Sequence, residues 1–241
     1  MRTIGLLAGM SWESSLEYYR ILNEEVARRL GGLHSAKCVM VSIDFARLEA
    51  QQTSGQWNAA ASDLAQAARQ LERAGAQCVL ICANTMHKVA PAIEAAVKIP
   101  LLHIADAAGD RVRAAGLKTV ALLGTRYTME EGFLKDRLNA RFGLQVIIPG
   151  ATERELIHRV IFEELVLGKI LPESKAAYLR IIDGLVKQGA QGIILGCTEI
   201  SMLVGEQDAS VPLFDTTAIH AAAAAELALA AVDSATPRAH M

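Results

Sequence analysis

Cys197 is the residue in this sequence whose surroundings best suit a chemical role. The short apolar run 192–195 ends in Gly196 just before Cys197. Thr198 and Glu199 come next, and a second apolar segment begins at Ile200. An apolar run bounded by small residues is typical of a buried parallel strand that ends in a turn. We expect Thr198 to cap a following helix, whose positive end would favour a thiolate over a thiol. Ligands bind at this end of open α/β sheets, so the pattern predicts a reactive cysteine in a ligand site.

The segment around Cys197 has a counterpart earlier in the chain. Residues 75–85 match residues 189–199 in register, which places Ala83 opposite Cys197 and Asn84 opposite Thr198. Two further pairs of segments match in the same order, 4–9 with 120–125 and 99–102 with 211–214, at offsets of 112 to 116 residues. A nearly constant offset predicts an internal duplication, that is, two copies of one α/β unit.

Strand and helix patterns alternate along both copies. We predict strands at 3–8, 36–43, 78–82, 99–103, 118–123, 144–148, 192–195 and 211–214. We predict helices at 12–30 with Ser11 as its cap, at 56–74, near Pro91, at 129–142, 155–167 and 173–188, and from Thr217. Residues 47–52 are predicted as a loop, and residues after Asp233 as a frayed tail that is in part not native.

This alternation implies an α/β fold with a parallel sheet in each copy. We expect residues 1–101 and 215–241 to form the first domain, with the last helix returning to it. Residues 102–214 are expected to form the second domain, related to the first by a pseudo-two-fold axis.

Composition narrows the class of protein. The chain has 241 residues, 52% of them apolar and 21% charged, with a net charge of −2, so disorder and a nucleic-acid footprint are not expected. The alanine-rich tract 218–232 contains His220 and Glu226 and is expected to be a core or interface helix, not a membrane span. There is no positively charged leader, and four cysteines without metal-like spacing fit a reducing cytosol. We therefore expect a cytoplasmic protein with no metal site and no nucleic-acid or membrane partner.

The turns after the first and third strands of each copy carry the candidate binding residues. Two copies related by a pseudo-dyad would bring these turns to a shared cleft. They hold mainly hydroxyl and amide side chains beside glycines, namely Met10, Ser11, Ala83, Asn84, Thr85, Thr125, Thr128, Cys197 and Thr198. Backbone N–H groups at helix starts and hydroxyls bind carboxylates and phosphates well. The pattern favours a small anionic substrate between the copies.

Five segments, spread over nearly the full length, resemble the aspartate/glutamate racemase family. They are Gly-Leu-Leu-Ala-Gly-Met-Ser at 5–11, Asn-Thr-Met-His at 84–87, Leu-Gly-Thr-x-x-Thr-Met at 123–129, Leu-Gly-Cys-Thr-Glu at 195–199 and Asp-Thr-Thr-x-x-His at 215–220. The resemblance implies two flavodoxin-like (Rossmann-like) domains with an amino-acid substrate between them. It also implies a homodimer and catalysis without pyridoxal phosphate or another cofactor.

In that family two residues act from opposite faces of the substrate α-carbon, one removing a proton and the other returning one. Cys197 matches one of them, and Ala83 stands where the family has a Cys or sometimes a Thr. An alanine has no proton to exchange. The chain is therefore a one-base enzyme, an enzyme with another proton donor, or a protein in which an engineered alanine lets substrate bind unreacted.

The roles of three further residues, Cys82, His87 and His220, are also considered. Cys82 is expected to point away from position 83 because side chains alternate along a strand, which makes it a core thiol, although a local twist would bring it to the cleft. His87 is expected to cap or pack, with proton transfer through a water as the alternative. His220 is expected to be a hydrogen-bonded packing residue.

The resemblance also implies the substrate contacts. Asn84 and Thr198 match residues that hold the α-carboxylate and the amino group, and Thr125 and Thr128 match a cradle for a second carboxylate. Glu199 is expected to orient the substrate ammonium or Cys197, or to be only a first-turn acid favoured by the helix dipole.

Side-chain specificity is less well marked. Family members that take acidic substrates often carry an arginine in the region 42–52 that selects the substrate side chain. In this sequence Arg47 or Gln52 could fill that role. Arg47 also reads as an ordinary exposed charge, and this reading is favoured. The lysine usual in the family near 165–167 is missing, since only apolar residues stand there before Lys169.

Three functions remain open. The leading hypothesis is a pyridoxal-independent amino-acid racemase, an isomerase for acidic or related amino acids with Cys197 as its base. The alternatives are a one-cysteine lyase or isomerase of the same fold, similar to arylmalonate decarboxylase or maleate isomerase, and an amino-acid-binding homologue without activity.

Overall fold

A four-stranded parallel sheet occurs twice in the computed structural model, which describes residues 1–233. The first sheet has the order β2-β1-β3-β4 and the second the order β6-β5-β7-β8. The strands are β1 Ile4–Ala8, β2 Cys38–Ser42, β3 Cys78–Ile81, β4 Leu101–Leu102, β5 Thr119–Gly124, β6 Gln145–Ile147, β7 Ile193–Gly196 and β8 Leu213–Asp215. The α/β class and the two parallel sheets are confirmed, and the shared strand order agrees with the internal repeat.

Helices flank both sheets. They are α1 Trp12–Leu30, α2 Phe45–Thr53, α3 Trp57–Arg73, α4 Ala90–Ala96, α5 Ile104–Ala114, α6 Arg126–Glu130, α7 Gly132–Phe142, α8 Ala151–Glu163, α9 Pro172–Lys187, α10 Ile200–Leu203 and α11 Thr216–Asp233. Short 3₁₀ turns occupy Thr85–Val89, Leu165–Leu167 and Glu206–Asp208. Ser11 caps α1 as predicted, since its hydroxyl accepts the Ser14 N–H at 3.3 Å. No helix within residues 1–233 has the length and apolar character to cross a membrane.

Three sequence-based predictions of local structure are wrong. Residues 47–52 are part of α2, which Asp44 starts by accepting the Ala46 N–H at 3.2 Å, because the polar run that suggested a loop lies along a partly exposed helix. Helix α5 was missed, since its buried face consists mostly of alanine and glycine. The single helix expected at 129–142 is divided at Glu131. The predicted tail after Asp233 lies outside the described residues.

The chain divides into two compact units. Unit 1 contains residues 1–82, 89–103 and the described residues from His220 onward, and unit 2 contains residues 83–88 and 104–219. The division expected from the sequence kept residues 83–88 in the first domain, whereas the structure groups them with the second. Ala83 and Cys197 therefore belong to the same unit.

The core of unit 1 forms around β1, whose five residues are all buried. Ile4, Leu6 and Ala8 pack with Tyr18 and Leu22 of α1 and with the alanines of α11. His220 is fully buried there: its Nε2 donates to the Leu102 carbonyl at 2.8 Å, and its Nδ1 accepts the Tyr18 hydroxyl at 2.8 Å. The predicted packing role of His220 is confirmed. Burial lowers its pKa to about 4.

Unit 2 is built around β5 and β7, which pair in parallel with Gly124 opposite Gly196. A Cβ on Gly124 would lie 2.8 Å from the Gly196 carbonyl oxygen, and one on Gly196 would lie 2.8 Å from the Leu123 carbonyl oxygen. Only glycine permits this approach. The two strands therefore end side by side, and the residues that follow, Thr125 and Cys197, leave the sheet at neighbouring points.

Candidate active site

Cys197 lies directly after β7 and is paired with a carboxylate. Its Sγ donates a hydrogen bond to Glu199 Oε2 at 3.0 Å, and the two residues are only 8% and 5% exposed. Burial raises the pKa of the Cys197 thiol well above its ordinary value, and the negative charge and hydrogen bond of Glu199 raise it further. Asp215 adds to the effect. The resting sulfur is therefore a thiol that has a proton acceptor in contact with it.

This result corrects the expectation of a thiolate favoured by a helix terminus. Helix α10 begins at Ile200 and has four residues, its N-cap position is Glu199, and no side chain caps it. Thr198 is buried but does not serve as the cap. So short a helix has little dipole to offer, whereas burial and an adjacent carboxylate both act against the charged sulfur. Of the roles considered for Glu199, the contact with Cys197 is seen in the structure.

Three threonine hydroxyls meet in unit 2. Thr85 Oγ1 lies 2.9 Å from Thr125 Oγ1 and 3.3 Å from Thr128 Oγ1, and the last two atoms lie 3.2 Å apart. All three residues are buried. Thr125 also caps α6 by accepting the Thr128 N–H. The structure thus brings together Thr125 and Thr128, which the sequence grouped, with Thr85 from the turn after β3.

Asn84 is 5% exposed, and among the described residues its side-chain amide is hydrogen-bonded through its nitrogen and not through its oxygen. Its Nδ2 donates to Thr216 Oγ1 at 3.0 Å, and Thr216 in turn donates to the Leu195 carbonyl of β7 at 2.8 Å. Within residues 1–233, Asn84 Oδ1 is buried and accepts no hydrogen bond. Sequence reasoning did not single out Thr216, because nothing in the run Asp-Thr-Thr at 215–217 distinguishes the hydroxyl that reaches Asn84.

His87 fixes the backbone of the 83–88 segment. Its ring stands between the Ala83 carbonyl, 2.8 Å from Nδ1, and the Ile104 N–H, 3.2 Å from Nε2. Since a carbonyl accepts and an amide donates, the proton is on Nδ1 and Nε2 is the acceptor. Both nitrogens are engaged, so the ring has the packing role expected of it.

Cys82 does not replace the missing group at position 83. It is fully buried among the core residues of unit 1, and burial raises its pKa far above the ordinary thiol value. Ala83 itself is partly exposed. In residues 1–233, no group of three or more His, Cys, Asp and Glu side chains is arranged to hold a metal ion.

The remaining predicted residues belong to unit 1. Met10, Ser11 and Gln52 are buried, with Gln52 on α2 rather than on a loop. Arg47 forms an ion pair with Asp63 at 2.8 Å and its side chain is 70% exposed, which agrees with a surface charge. Between the two candidates for side-chain recognition, Gln52 is the buried one.

Comparison with known proteins identifies the family. A family model described as Asp/Glu/Hydantoin racemase matches residues 7–224, which is most of the chain. The chain belongs to this racemase family. The resemblance inferred from the five motifs is confirmed.

Solved structures of racemase relatives share the fold. A protein from Yersinia pestis, provisionally described as an Asp/Glu racemase, is 55% identical over 95% of this chain and 100% of its own, with a TM-score of 0.89. An aspartate racemase homologue from Pyrococcus horikoshii is 34% identical over 95% of this chain and 99% of its own, with a TM-score of 0.81. Glutamate racemase from Francisella tularensis in complex with D-glutamate is 17% identical over 96% of this chain and 82% of its own, with a TM-score of 0.64. At this identity the similarity shows only that the two proteins share a fold. The family match and the first two of these relatives support an amino-acid racemase, an isomerase.

Proposed function

We propose that this racemase-family protein exchanges the α-proton of acidic amino acids with Cys197 as its base and without a cofactor. The observation that carries the proposal is the buried hydrogen bond from Cys197 Sγ to Glu199 Oε2. A reactive sulfur in a protected site needs a nearby group to take its proton, and Glu199 is in direct contact with it.

The raised pKa of the thiol suits this chemistry. An α-proton is only weakly acidic, and a thiolate whose conjugate acid has a high pKa is the stronger base. The proton on Sγ passes to Glu199 Oε2 along the existing hydrogen bond, and the thiolate then removes the proton from the α-carbon. The sulfur is again a thiol, and the carbanion that forms is stabilised by hydrogen bonds to the substrate carboxylate in a site with little water.

The polar groups of unit 2 suit an acidic amino acid. The free acceptor of Asn84 suits the substrate ammonium, and the hydroxyls of Thr85, Thr125 and Thr128 suit a side-chain carboxylate. Thr198 and Gln52, and also Met10 and Ser11, remain proposed substrate contacts.

Ala83 makes the proposed reaction one-sided. Inversion requires a second group that delivers a proton to the opposite face of the α-carbon, and a methyl group cannot do so. Cys82 is enclosed in the core of unit 1, and both nitrogens of His87 are occupied. We therefore propose exchange with retention, in which Cys197 removes a proton and returns one to the same face.

The test is proton–deuterium exchange at the α-carbon in D₂O, with L- and D-aspartate and L- and D-glutamate, followed by mass spectrometry and chiral analysis. We expect one enantiomer to gain deuterium without inversion, and Ala83→Thr or Ala83→Cys to add racemisation. Cys197→Ala should abolish exchange, whereas Cys38→Ser, at a free cysteine in β2, should not. Exchange that persists in Cys197→Ala would refute the proposal.

Two outcomes lead to the alternative functions. Tight binding of an acidic amino acid with no exchange in any variant indicates a binding protein, and loss of carboxylate from a malonate-type substrate indicates a lyase of the same fold. The homodimer and the cytoplasmic location also remain proposals. Light scattering after size-exclusion chromatography, which gives the mass of the particle, tests the first, and cell fractionation tests the second.

A further inference from the structure

Thr216 is buried where the second sheet passes into α11, and its hydroxyl joins two segments of unit 2. The residue is 1% exposed and follows Asp215, the last residue of β8. Its hydroxyl donates to the carbonyl of Leu195, two residues before Cys197, and accepts from Asn84 Nδ2. A buried hydroxyl thus connects the strand that carries the reactive cysteine with the turn that carries Asn84.

The direction of these bonds determines which way the Asn84 amide faces. A hydroxyl has one hydrogen, and the Leu195 carbonyl can only accept, so that hydrogen is committed. Thr216 Oγ1 therefore has only lone pairs to offer Asn84. The amide atom next to it must be the NH₂ group, which leaves Oδ1 on the other side.

The consequence is a buried acceptor with a specific requirement. Asn84 Oδ1 has no donor among residues 1–233 although the residue is 95% buried, being 5% exposed. A buried carbonyl oxygen without a hydrogen-bond partner is unfavourable, so a ligand that supplies an N–H is favoured there. A carboxylate oxygen at the same place would be repelled. The ammonium group of an α-amino acid satisfies the requirement.

We propose that Thr216 is a positioning residue that holds Asn84 Oδ1 toward the substrate ammonium and so makes the site select amino acids over their deaminated analogues. This deepens the proposed function and rests on it for the identity of the ligand. Thr216 acts through Asn84 and needs no contact with substrate.

The chain supplies a matched control at the next position. Thr217 is also 1% exposed, but its Oγ1 has no hydrogen-bond partner in the described part of the chain. Its backbone N–H donates to Asp215 Oδ1 at 2.8 Å, a bond that a change of side chain leaves intact. Thr216→Val and Thr217→Val therefore remove the same group at adjacent buried positions, and only the first removes hydrogen bonds.

The experiment measures dissociation constants of aspartate and of succinate, which lacks the ammonium, by titration calorimetry on the 241-residue chain and its variants. For Thr216→Val we expect aspartate to bind about tenfold more weakly or worse, since a hydrogen bond to a charged group is at stake, with little change for succinate. Thr216→Ser keeps the hydroxyl and should restore the preference. Thr217→Val should leave it unchanged.

Equal weakening of both ligands in Thr216→Val would reduce Thr216 to a structural residue and overturn the inference. A wild-type protein without preference for aspartate over succinate would do the same. The α-proton exchange assay is independent of this ratio. If exchange occurs and the ratio does not change, the positioning role fails and the proposed function stands. If the ratio changes and no exchange occurs, the proposed function fails alone.

Discussion

Cys197 Sγ and Glu199 Oε2 lie 3.0 Å apart, and the sulfur is the donor. The pair lies at the end of β7, beside the close approach of Gly124 and Gly196. The charge of Glu199 disfavours the thiolate, and its carboxylate can accept the thiol proton. Its removal should therefore have two separable effects, one on the pKa of the thiol and one on the rate of exchange.

Glu199→Gln should lower the pKa of the Cys197 thiol and still slow the α-proton exchange. The nearby negative charge raises the thiol pKa, so its loss moves the pKa down, while burial keeps it above the ordinary value. We expect exchange to fall by about 10²–10⁴, the usual contribution of a general base. The pKa is followed by the pH dependence of Cys197 alkylation, and exchange by deuterium incorporation.

Glu206→Gln, at an exposed acid in the 3₁₀ turn Glu206–Asp208, is the control and should change neither quantity. If the alkylation midpoint moved to higher pH in Glu199→Gln, the assigned electrostatic effect would be wrong. Unchanged exchange would remove Glu199 from the proton transfer.

Thr125→Val should weaken the binding of acidic amino acids selectively. The variant removes one of three adjoining hydroxyls proposed to hold the side-chain carboxylate. We expect aspartate to bind about tenfold more weakly, as for loss of a hydrogen bond to a charged group, with little change for alanine. Thr125→Ser keeps both the hydroxyl and the cap of α6 and should bind normally.

The matched control is Thr119→Val at the opposite end of β5. Titration calorimetry with aspartate and alanine decides the outcome. Equal losses for the two ligands in Thr125→Val would mean that the hydroxyl cluster supports the fold and does not read the side chain.

Gly196→Ala should destabilise the protein by about 1–3 kcal/mol, the usual cost of overpacking. The added Cβ would lie 2.8 Å from both Leu122 Cδ1 and the Leu123 carbonyl oxygen, and the carbonyl cannot move without disturbing the β5–β7 pairing. The free energy of unfolding in denaturant measures the effect.

Gly184→Ala in α9 is the control with the opposite sign. Apart from the backbone of α9 itself, no atom lies within 4 Å of a Cβ there, so we expect about 0.5–1 kcal/mol of stabilisation from the helix propensity of alanine. A Gly196→Ala variant as stable as the wild type would show that the strand ends adapt to the methyl group.

Acid should destabilise unit 1 through His220. Burial lowers its pKa from 6.5 to about 4, so the unfolded state binds more protons than the folded state between these values. The contribution of His220 to stability is complete above pH 6.5 and is lost as the pH falls toward 4, by about 3 kcal/mol in all.

His220→Gln can still donate to the Leu102 carbonyl and accept from the Tyr18 hydroxyl, and it does not titrate. Its stability should therefore fall less steeply between pH 6.5 and 4. His34→Gln, at an exposed position, is the reference and should keep the wild-type slope. Equal slopes for all three proteins in urea unfolding would contradict the assignment.

The sequence was sufficient where the information is local. Apolar runs and small-residue turns located the eight strands found within residues 1–233 to within a few residues, and the repeat predicted two similar sheets. Local patterns failed at α2, where a polar run forms a helix, and at α5, whose buried side chains are mostly too small to mark a face. The family could also be identified from the sequence, because each of its motifs is a short contiguous segment.

Tertiary structure decided which partner each of these residues has. Cys197 was identified from the sequence, but the direction of its pKa shift was not, because burial and Glu199 outweigh a four-residue helix. The bond from Asn84 to Thr216 joins positions 132 residues apart, and that from His87 to Ile104 joins different segments of unit 2. A run of neighbouring residues encodes where a strand ends, whereas the choice of a hydrogen-bond partner is made only when distant segments pack together.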